Sequence, residues 1–358
     1  MFLKSLGISH LRNIDTQHLE LSPGLNAFIG PNGSGKTSLL EGAYLLSHGQ
    51  SFRTGSIDAV MSRGAGEMQL SARVERERST AELRLTRGGE NWRAQVNGRP
   101  VPTLATLLRE LAVVCLEPGS HALISGSSRE RRQFLDWGVF HVEPEYWADM
   151  RQYNRALRQR NAALKQNGDA GALASWDAEL VARATPILVR RRHYFEEFNL
   201  ELTRILVQFL PELGPANATL DDGCSGTDLQ HALELRRSLD TIRGHTSRGP
   251  HRADWRIAFP QAPLREHLSR GQQKLCALGC VLAQATIYAK THGDWPVVLL
   301  DDLAAELDDA HQTAVIELAM RMKAQIVVTG TELPGTLHPF RSLIRMFHVE
   351  HGKVATLL

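Results

Sequence analysis

No C-x-x-C pair occurs among the four cysteines of this 358-residue sequence, so the usual ligand spacing of a structural zinc site is missing. Cys276 and Cys280 stand four apart on a predicted helix, a spacing that suits core packing better than metal binding. No apolar run is long enough to cross a bilayer. The opening Met1-Phe2-Leu3-Lys4-Ser5-Leu6 lacks the charged-then-apolar build of a signal peptide and reads as an edge strand. Together these absences point to a cytoplasmic chain with reduced thiols and no membrane partner. Charge of one sign is also missing: 41 Lys and Arg against 39 Asp and Glu leave a formal +2. A polyanion-binding surface would therefore have to be a local patch. There is no sustained heptad seam for a long coiled-coil arm, and no RRM, OB or helix-turn-helix pattern for reading bases. The remaining composition, 42% hydrophobic and 22% charged, is that of an ordinary globular chain of one large or two packed domains.

Against this background, Gly30-Pro31-Asn32-Gly33-Ser34-Gly35-Lys36-Thr37 satisfies G-x-x-x-x-G-K-[ST], the phosphate-binding loop. Its context is the required one. Leu25 to Ile29 reads as a buried strand feeding the loop, and Thr37 to Leu46 as the helix leaving it. The glycines let backbone N–H groups and the helix N-terminus face phosphate oxygens. Lys36 is expected along the β- and γ-phosphates and the Thr37 hydroxyl on Mg²⁺. The loop therefore calls for a nucleoside triphosphate and Mg²⁺.

Far downstream, Trp295-Pro296-Val297-Val298-Leu299-Leu300-Asp301-Asp302 is an apolar strand ending in two acids. Ligands of open parallel sheets gather at the carboxyl ends of strands, which puts Asp301 beside the Mg²⁺ held by Thr37. Between the two halves, Ser269-Arg270-Gly271-Gln272-Gln273 precedes a helical run from Leu275 to Ala289. Alone, S-x-G-Q could be a simple helix N-cap at Ser269. The order of phosphate loop, S-x-G-Q-Q, acidic strand and Glu306-Leu307-Asp308 resembles the ABC-type ATPase head. That resemblance makes the cofactors ATP and Mg²⁺. It implies that Ser269, Gly271 and Gln272 close over a nucleotide held by a second copy, so that ATP is part of a head-to-tail homodimer interface.

Motifs outside the generic ABC set make the resemblance narrower. They are Leu39-Leu40-Glu41, Ser51-Phe52-Arg53, Arg131-Arg132-x-Phe134-Leu135-Asp136-Trp137, Gly249-Pro250-His251-Arg252-Ala253-Asp254 and Asp301-Asp302-x-Ala304-x-Glu306-Leu307-Asp308. With the opening strand Leu11-Arg12-Asn13-Ile14, the chain resembles the RecF family of bacterial DNA replication and repair proteins across nearly its whole length. The resemblance implies DNA as a partner (duplex, gapped or single-stranded, largely independent of sequence). It also implies the mediators RecR and RecO, a weak DNA-stimulated ATPase, assistance to RecA loading and support of SOS induction. By analogy with related heads, Arg12 and Asn13 would lie against the adenine or ribose. A transporter-coupled ATPase subunit and an ATP-organised adaptor without a hydrolysis cycle remain as alternatives from the residues alone.

The expected fold class is α/β, an ABC-type P-loop ATPase head of mixed sheets with flanking helices, carrying a compact, mostly helical insert lobe. The expected division is 1–118 for the N-terminal half of the head, 119–240 for the helical lobe and 241–358 for the C-terminal half. Short strands are expected at 68–72, 81–85, 92–96 and 255–259. Asn97-Gly98 is a hairpin turn signal, and Asn167-Gly168-Asp169 and Gly214-Pro215 are helix breaks.

Three arginine groups, Arg129-Arg131-Arg132, Arg155-Arg158-Arg160 and Arg190-Arg191-Arg192, are candidates both for DNA phosphates and for solvated helix faces paired with acids. Asp302 stands where many ABC heads place a glutamate that orients the attacking water. One methylene shorter, it predicts slow hydrolysis. The strand Ile326–Thr331 ends without a histidine, which leaves either Thr329 or Thr331 as a hydroxyl substitute or a simple strand end and turn, and Glu117 takes the approximate place of the Q-loop glutamine. His251 and Arg252 form either a buried corner or part of an ATP sensor.

Overall fold

The computed structural model describes residues 1–357 apart from 78, 90 and 167–169. The predicted break at Asn167-Gly168-Asp169 lies outside the described residues. The chain divides into two compact units, one formed by Met1–Ser120 with Cys280–Leu358, the other by His121–Gly279.

The first unit opens with β1 (Phe2–Leu11), β2 (Ile14–Glu20), β3 (Leu25–Ile29) and α1 (Lys36–His48). A meander follows: β4 (Glu67–Arg76), β5 (Ser79–Gly88), β6 (Asn91–Val96) and β7 (Arg99–Pro100), then α2 (Leu104–Leu108) and β8 (Val113–Leu116). The second unit contains α3 (Ala122–Ser125), α4 (Ser128–Val142), α5 (Tyr146–Lys165) and α6 (Ala170–Phe209). It continues with β9 (Asn217–Asp221), α7 (Leu229–Arg243) and β10 (Asp254–Ala258), and α8 (Arg270–His292) leads out of it. The chain ends in the first unit with β11 (Val297–Leu300), α9 (Leu303–Glu306), α10 (Asp309–Arg321), β12 (Ile326–Gly330), β13 (Ile344–Glu350) and β14 (Lys353–Thr356).

Two six-stranded sheets build the first unit. One has the order β2-β1-β4-β5-β6-β7 and is antiparallel. The other has the order β14-β13-β3-β12-β11-β8, and all its pairs except β13–β14 are parallel. A parallel strand is covered on both faces and needs a continuous apolar run. Val297-Val298-Leu299-Leu300 is buried throughout, as are Ile326-Val327-Val328. The helix α1 lies close on β1 because Gly42 has no side chain: a Cβ there would stand 2.8 Å from Ile8 Cδ1. This is the expected α/β class, mixed sheets with flanking helices.

The Asn97-Gly98 signal forms the expected two-residue turn, with φ of 52° and 74°, joining β6 to β7. The opening strand differs from expectation. β1 is not an edge, because β2 folds back on one side of it and β4 pairs on the other. The alternation visible in Met1–Leu6 could not distinguish a strand paired once from one paired twice. A second difference lies between 120 and 240, read as helical. Residues Asn217–Asp221 form β9, which pairs antiparallel with β10. Its Asn-Ala-Thr-Leu-Asp is too short to show a period.

Candidate nucleotide site

The phosphate loop joins β3 to α1. Gly30 takes φ 155° and packs against the backbone, since a Cβ would come within 2.1 Å of the Val349 carbonyl oxygen. Gly35, at φ 116°, holds the N-cap position of α1 in a conformation open only to glycine at low cost. Lys36 Nζ bridges its own loop, donating to the carbonyls of Gly30 (2.7 Å) and Pro31 (2.8 Å). Burial lowers the Lys36 ammonium below its ordinary pKa, against the pull of Asp302 and Asp301. Ser34 Oγ is buried and has no hydrogen-bond partner among the described residues.

The two halves of the sequence meet at Thr37. Its Oγ1 donates to the Asp301 carboxylate at 3.0 Å (Oδ1) and 2.9 Å (Oδ2), a contact across 264 residues. On the other side, Thr329 Oγ1 donates to Asp301 Oδ1 at 2.6 Å. The same hydroxyl accepts the Asp302 backbone N–H at 2.8 Å. Burial raises the Asp301 carboxyl above its ordinary range, while the Thr329 and Thr37 hydrogen bonds oppose that rise. Asp302 turns the chain from β11 into α9 at φ 52° and ψ 48°, a left-handed conformation unusual for a residue with a side chain. Among the described residues no group of three or more His, Cys, Asp or Glu forms a metal cage. Thr37 and Asp301 nevertheless suit Mg²⁺, which keeps water and phosphate ligands and needs few from the protein.

Arg12 and Asn13 reach the same region from the β1–β2 turn. Arg12, at φ 55°, forms a bidentate pair with Glu41, Nε to Oε2 at 2.9 Å and Nη2 to Oε1 at 2.7 Å. Glu41 lies one turn along α1, fully buried, and also accepts from Ser51 Oγ. Asn13 Nδ2 donates to the Gly33 carbonyl at 3.2 Å, so Asn13 rests on the phosphate loop itself. Glu117 curls onto its own turn, accepting from Gly119 N–H at 2.5 Å. The remaining loop residues, Pro31, Asn32 and Gly33, form the exposed turn before the helix.

The signature segment belongs to the second unit. Ser269 Oγ accepts from Gln272 N–H (3.2 Å) and Gln272 Oε1 accepts from Ser269 N–H (3.0 Å). This reciprocal capping box organises the start of α8. Ser269, Arg270 and Gly271 are exposed, and a Cβ on Gly271 would meet nothing nearer than 4.0 Å.

A family model described as the RecF/RecN/SMC N-terminal domain matches residues 2–355. The chain belongs to this family. It is 42% identical to the DNA replication and repair protein RecF of Stenotrophomonas maltophilia (strain R551-3), covering 100% of both chains. It is 34% identical to the protein of the same name from Shewanella baltica (strain OS223), again across all of both chains. Among solved structures, the recombination mediator protein RecF with ATP, in the RecFOR pathway, is similar at TM-score 0.90 and 25% identity. That likeness covers 100% of this chain and 98% of the other. An SMC head bound to the C-terminal winged-helix domain of ScpA shares the fold at TM-score 0.59 and 18% identity, covering 100% and 98%.

Most of the arginines singled out in the sequence are held by internal partners within the second unit. Arg131 is bidentate on Asp254 (2.6 and 3.0 Å), and Arg132 donates to the Ala253 carbonyl (2.7 Å). Arg191 contacts Asp136 at 2.7 Å and the Pro250 carbonyl at 2.7 Å. Arg190 gathers Glu143, Glu145 and Asp149, and Arg192 pairs with Asp222. Arg160 is fully buried, donating to Asp177 (2.6 Å), Asp240 (2.9 Å) and Thr246 Oγ1 (2.8 Å). His251 is a hydrogen-bonded corner: Nε2 donates to the Thr246 carbonyl (3.0 Å) and Nδ1 accepts from Tyr153 Oη (2.6 Å). Burial pushes this imidazole down to about 4.

Sequence reasoning missed the role of Glu41 and the double bond-making of Thr329. A glutamate among leucines on the helix after a phosphate loop is the signal that could have found the first. No pattern in the sequence shows that Thr329 touches both acids.

Proposed function

We propose that this protein is an ATP-dependent DNA-binding ATPase of recombinational repair and replication-fork maintenance. The observation that carries the nucleotide half of the proposal is the convergence of Thr37 and Asp301 at 2.9 Å beside a glycine loop whose buried Ser34 hydroxyl has no partner among the described residues. Family membership carries the DNA half.

In this reading Gly30 to Gly35 present backbone N–H groups to the phosphates, and Lys36 leaves its loop carbonyls for the β- and γ-phosphate oxygens. Thr37 and Asp301 would hold Mg²⁺, which would supply charge neutralisation at the phosphates. Asp302 orients the attacking water, and its short side chain makes hydrolysis slow. Ser269, Gly271 and Gln272 at the start of α8 close over nucleotide bound by a second copy, giving a head-to-tail homodimer that ATP assembles and hydrolysis releases. Arg12, through its Glu41 pair, and Asn13 set the edge of the nucleotide pocket. The biological task is assistance to RecA loading on gapped DNA with RecR and RecO, and thereby SOS induction. DNA is bound largely without regard to sequence, through phosphates.

The decisive experiment is fluorescence anisotropy of a labelled gapped duplex in ATP and in ADP, with wild type and Ser269→Arg. Binding that requires ATP and is lost in Ser269→Arg supports the clamp. Binding indifferent to nucleotide supports an adaptor without a cycle, and absence of binding removes DNA from the proposal.

A further inference from the structure

Six arginines of the second unit, Arg131, Arg132, Arg160, Arg190, Arg191 and Arg192, are tied to acids or carbonyls of that unit. Three others behave differently. Arg151, Arg155 and Arg158 lie on α5 at i, i+4 and i+7, a spacing that puts them on one helix face, and all three are exposed. None of their guanidiniums has an ion-pair or hydrogen-bond partner among the described residues. The acids nearest to them along α5, Glu145 and Asp149, are engaged by Arg190. The stripe is therefore a concentration of uncompensated positive charge in a chain whose net charge is +2.

Beside this stripe α5 and α6 enclose a groove of about 620 Å³. Gln152, Arg155 and Gln159 line it from α5, Ser175 and Trp176 from α6. Glu179 on the same wall is neutralised by Arg183 at 2.8 Å, and Arg183 also donates to Gln152 at 2.5 Å. Trp176 is half-buried and offers the groove its aromatic surface. Two amides supply donors and acceptors, and the Ser175 hydroxyl, which donates to the Gly171 carbonyl at 3.1 Å, adds an acceptor; the set complements a nucleobase edge more than a bare phosphate.

We infer that this face binds single-stranded nucleic acid, with backbone phosphates along Arg151, Arg155 and Arg158 and one base seated in the groove against Trp176. The inference rests on the DNA-binding reading above and assigns it a surface. An unstacked strand fits the combination because its bases are free to turn toward an aromatic platform while the backbone follows the charge. In a duplex the bases are stacked and paired, so the groove would stay empty.

The test measures anisotropy of a labelled oligothymidylate and of a duplex of equal length across a KCl series, in ATP. The proteins compared are the wild type, R151A/R155A/R158A, W176A and W176F, with thermal melts to confirm folding. Loss of three phosphate contacts should reduce the slope of log affinity against log salt on single strand by about 2. W176A should weaken single-strand binding by about 5- to 150-fold, with W176F recovering most of it and duplex affinity unmoved. An unchanged salt slope in the triple variant overturns the inference. So does an equal loss on duplex and single strand, which would make the stripe a duplex contact. If the wild type binds neither DNA, the underlying DNA-binding reading fails instead.

Discussion

Arg160→Ala should destabilise the second unit by about 3–5 kcal/mol, the usual cost of stripping the partner from a buried charge pair. The structure fixes why the value falls in that range. Arg160, Asp177 and Asp240 are all 0% exposed, so neither carboxylate can recover water when the guanidinium goes. Both ion pairs are lost, but each carboxylate keeps one other donor, Asp177 from Arg237 at 2.7 Å and Asp240 from Ser247 N–H at 3.1 Å, which offsets part of the cost. At about 2–4 °C per kcal/mol for a unit of this size, the melting midpoint should fall by about 6–20 °C. Trp137, Trp147, Trp176 and Trp255 all lie in the second unit, so tryptophan fluorescence during urea unfolding reports mainly on it. Replacing all three charges together, Arg160→Met with Asp177→Leu and Asp240→Leu, should cost less than Arg160→Ala alone, because no fully buried charge then remains and only Arg237, a third exposed, loses its acid. An Arg160→Ala midpoint within about 0.5 kcal/mol of wild type, combined with weakened DNA binding, would refute this reasoning and return Arg160 to the list of phosphate contacts.

Thr329→Val should lower stability by about 2–3 kcal/mol, since it removes one hydrogen bond to a carboxylate and one from a backbone N–H. It should also slow ATP hydrolysis, while Thr329→Ser restores both; a hydrolysis rate equal to wild type in the valine variant would argue against a positioning role. Asp302→Asn should trap an ATP-bound dimer detectable by light scattering after gel filtration, and a monomer in saturating ATP would count against Asp302 as the residue that orients water. The His251 imidazole is lowered from 6.5 to about 4, so it folds neutral; its contribution is present above pH 6.5 and is lost as pH falls from there through about 4. The full effect is about 3 kcal/mol. His251→Gln should flatten that part of the stability–pH curve in denaturant titrations, and an unaltered slope would exclude His251 as its source.

Much of the head was legible because its chemistry is written in short contiguous stretches. The loop Gly30–Thr37 follows the strand signal of Leu25–Ile29, Val297–Asp302 carries its own, and open parallel sheets bring such strand ends to one edge. The contact of Thr37 with Asp301 follows from these two facts, although 264 residues separate them. The arginine groups were not legible in the same way. A run such as Arg190-Arg191-Arg192 points its side chains in three directions around a helix, and their partners, Asp149, Asp136 and Asp222, come from three separate segments. Sequence spacing shows charge; it does not show which charges are neutralised. Strand β9 was hidden for a related reason, since its five residues acquire strand character only from pairing with β10.

The acids of the nucleotide site are assembled at a cost that the fold itself does not recover. Asp301 is buried next to another acid, Asp302, and its carboxyl is raised by that burial. A raised carboxyl makes folding less favourable as pH climbs from its unfolded value through its folded one, and the full penalty stands at neutral pH. Asp302 adds a left-handed backbone, a strain on the order of 1–3 kcal/mol for a residue other than glycine. Thr329 bonds to the Asp301 carboxylate and to the Asp302 backbone N–H and offsets part of this, yet a hydroxyl cannot replace a cation. The second unit resolves its buried charge the opposite way, by pairing Arg160 and Arg191 with their own acids. A buried acid with no ion pair among the described residues, set against buried charge that is ion-paired, distinguishes a place suited to receive a counter-ion from a place that holds the chain together.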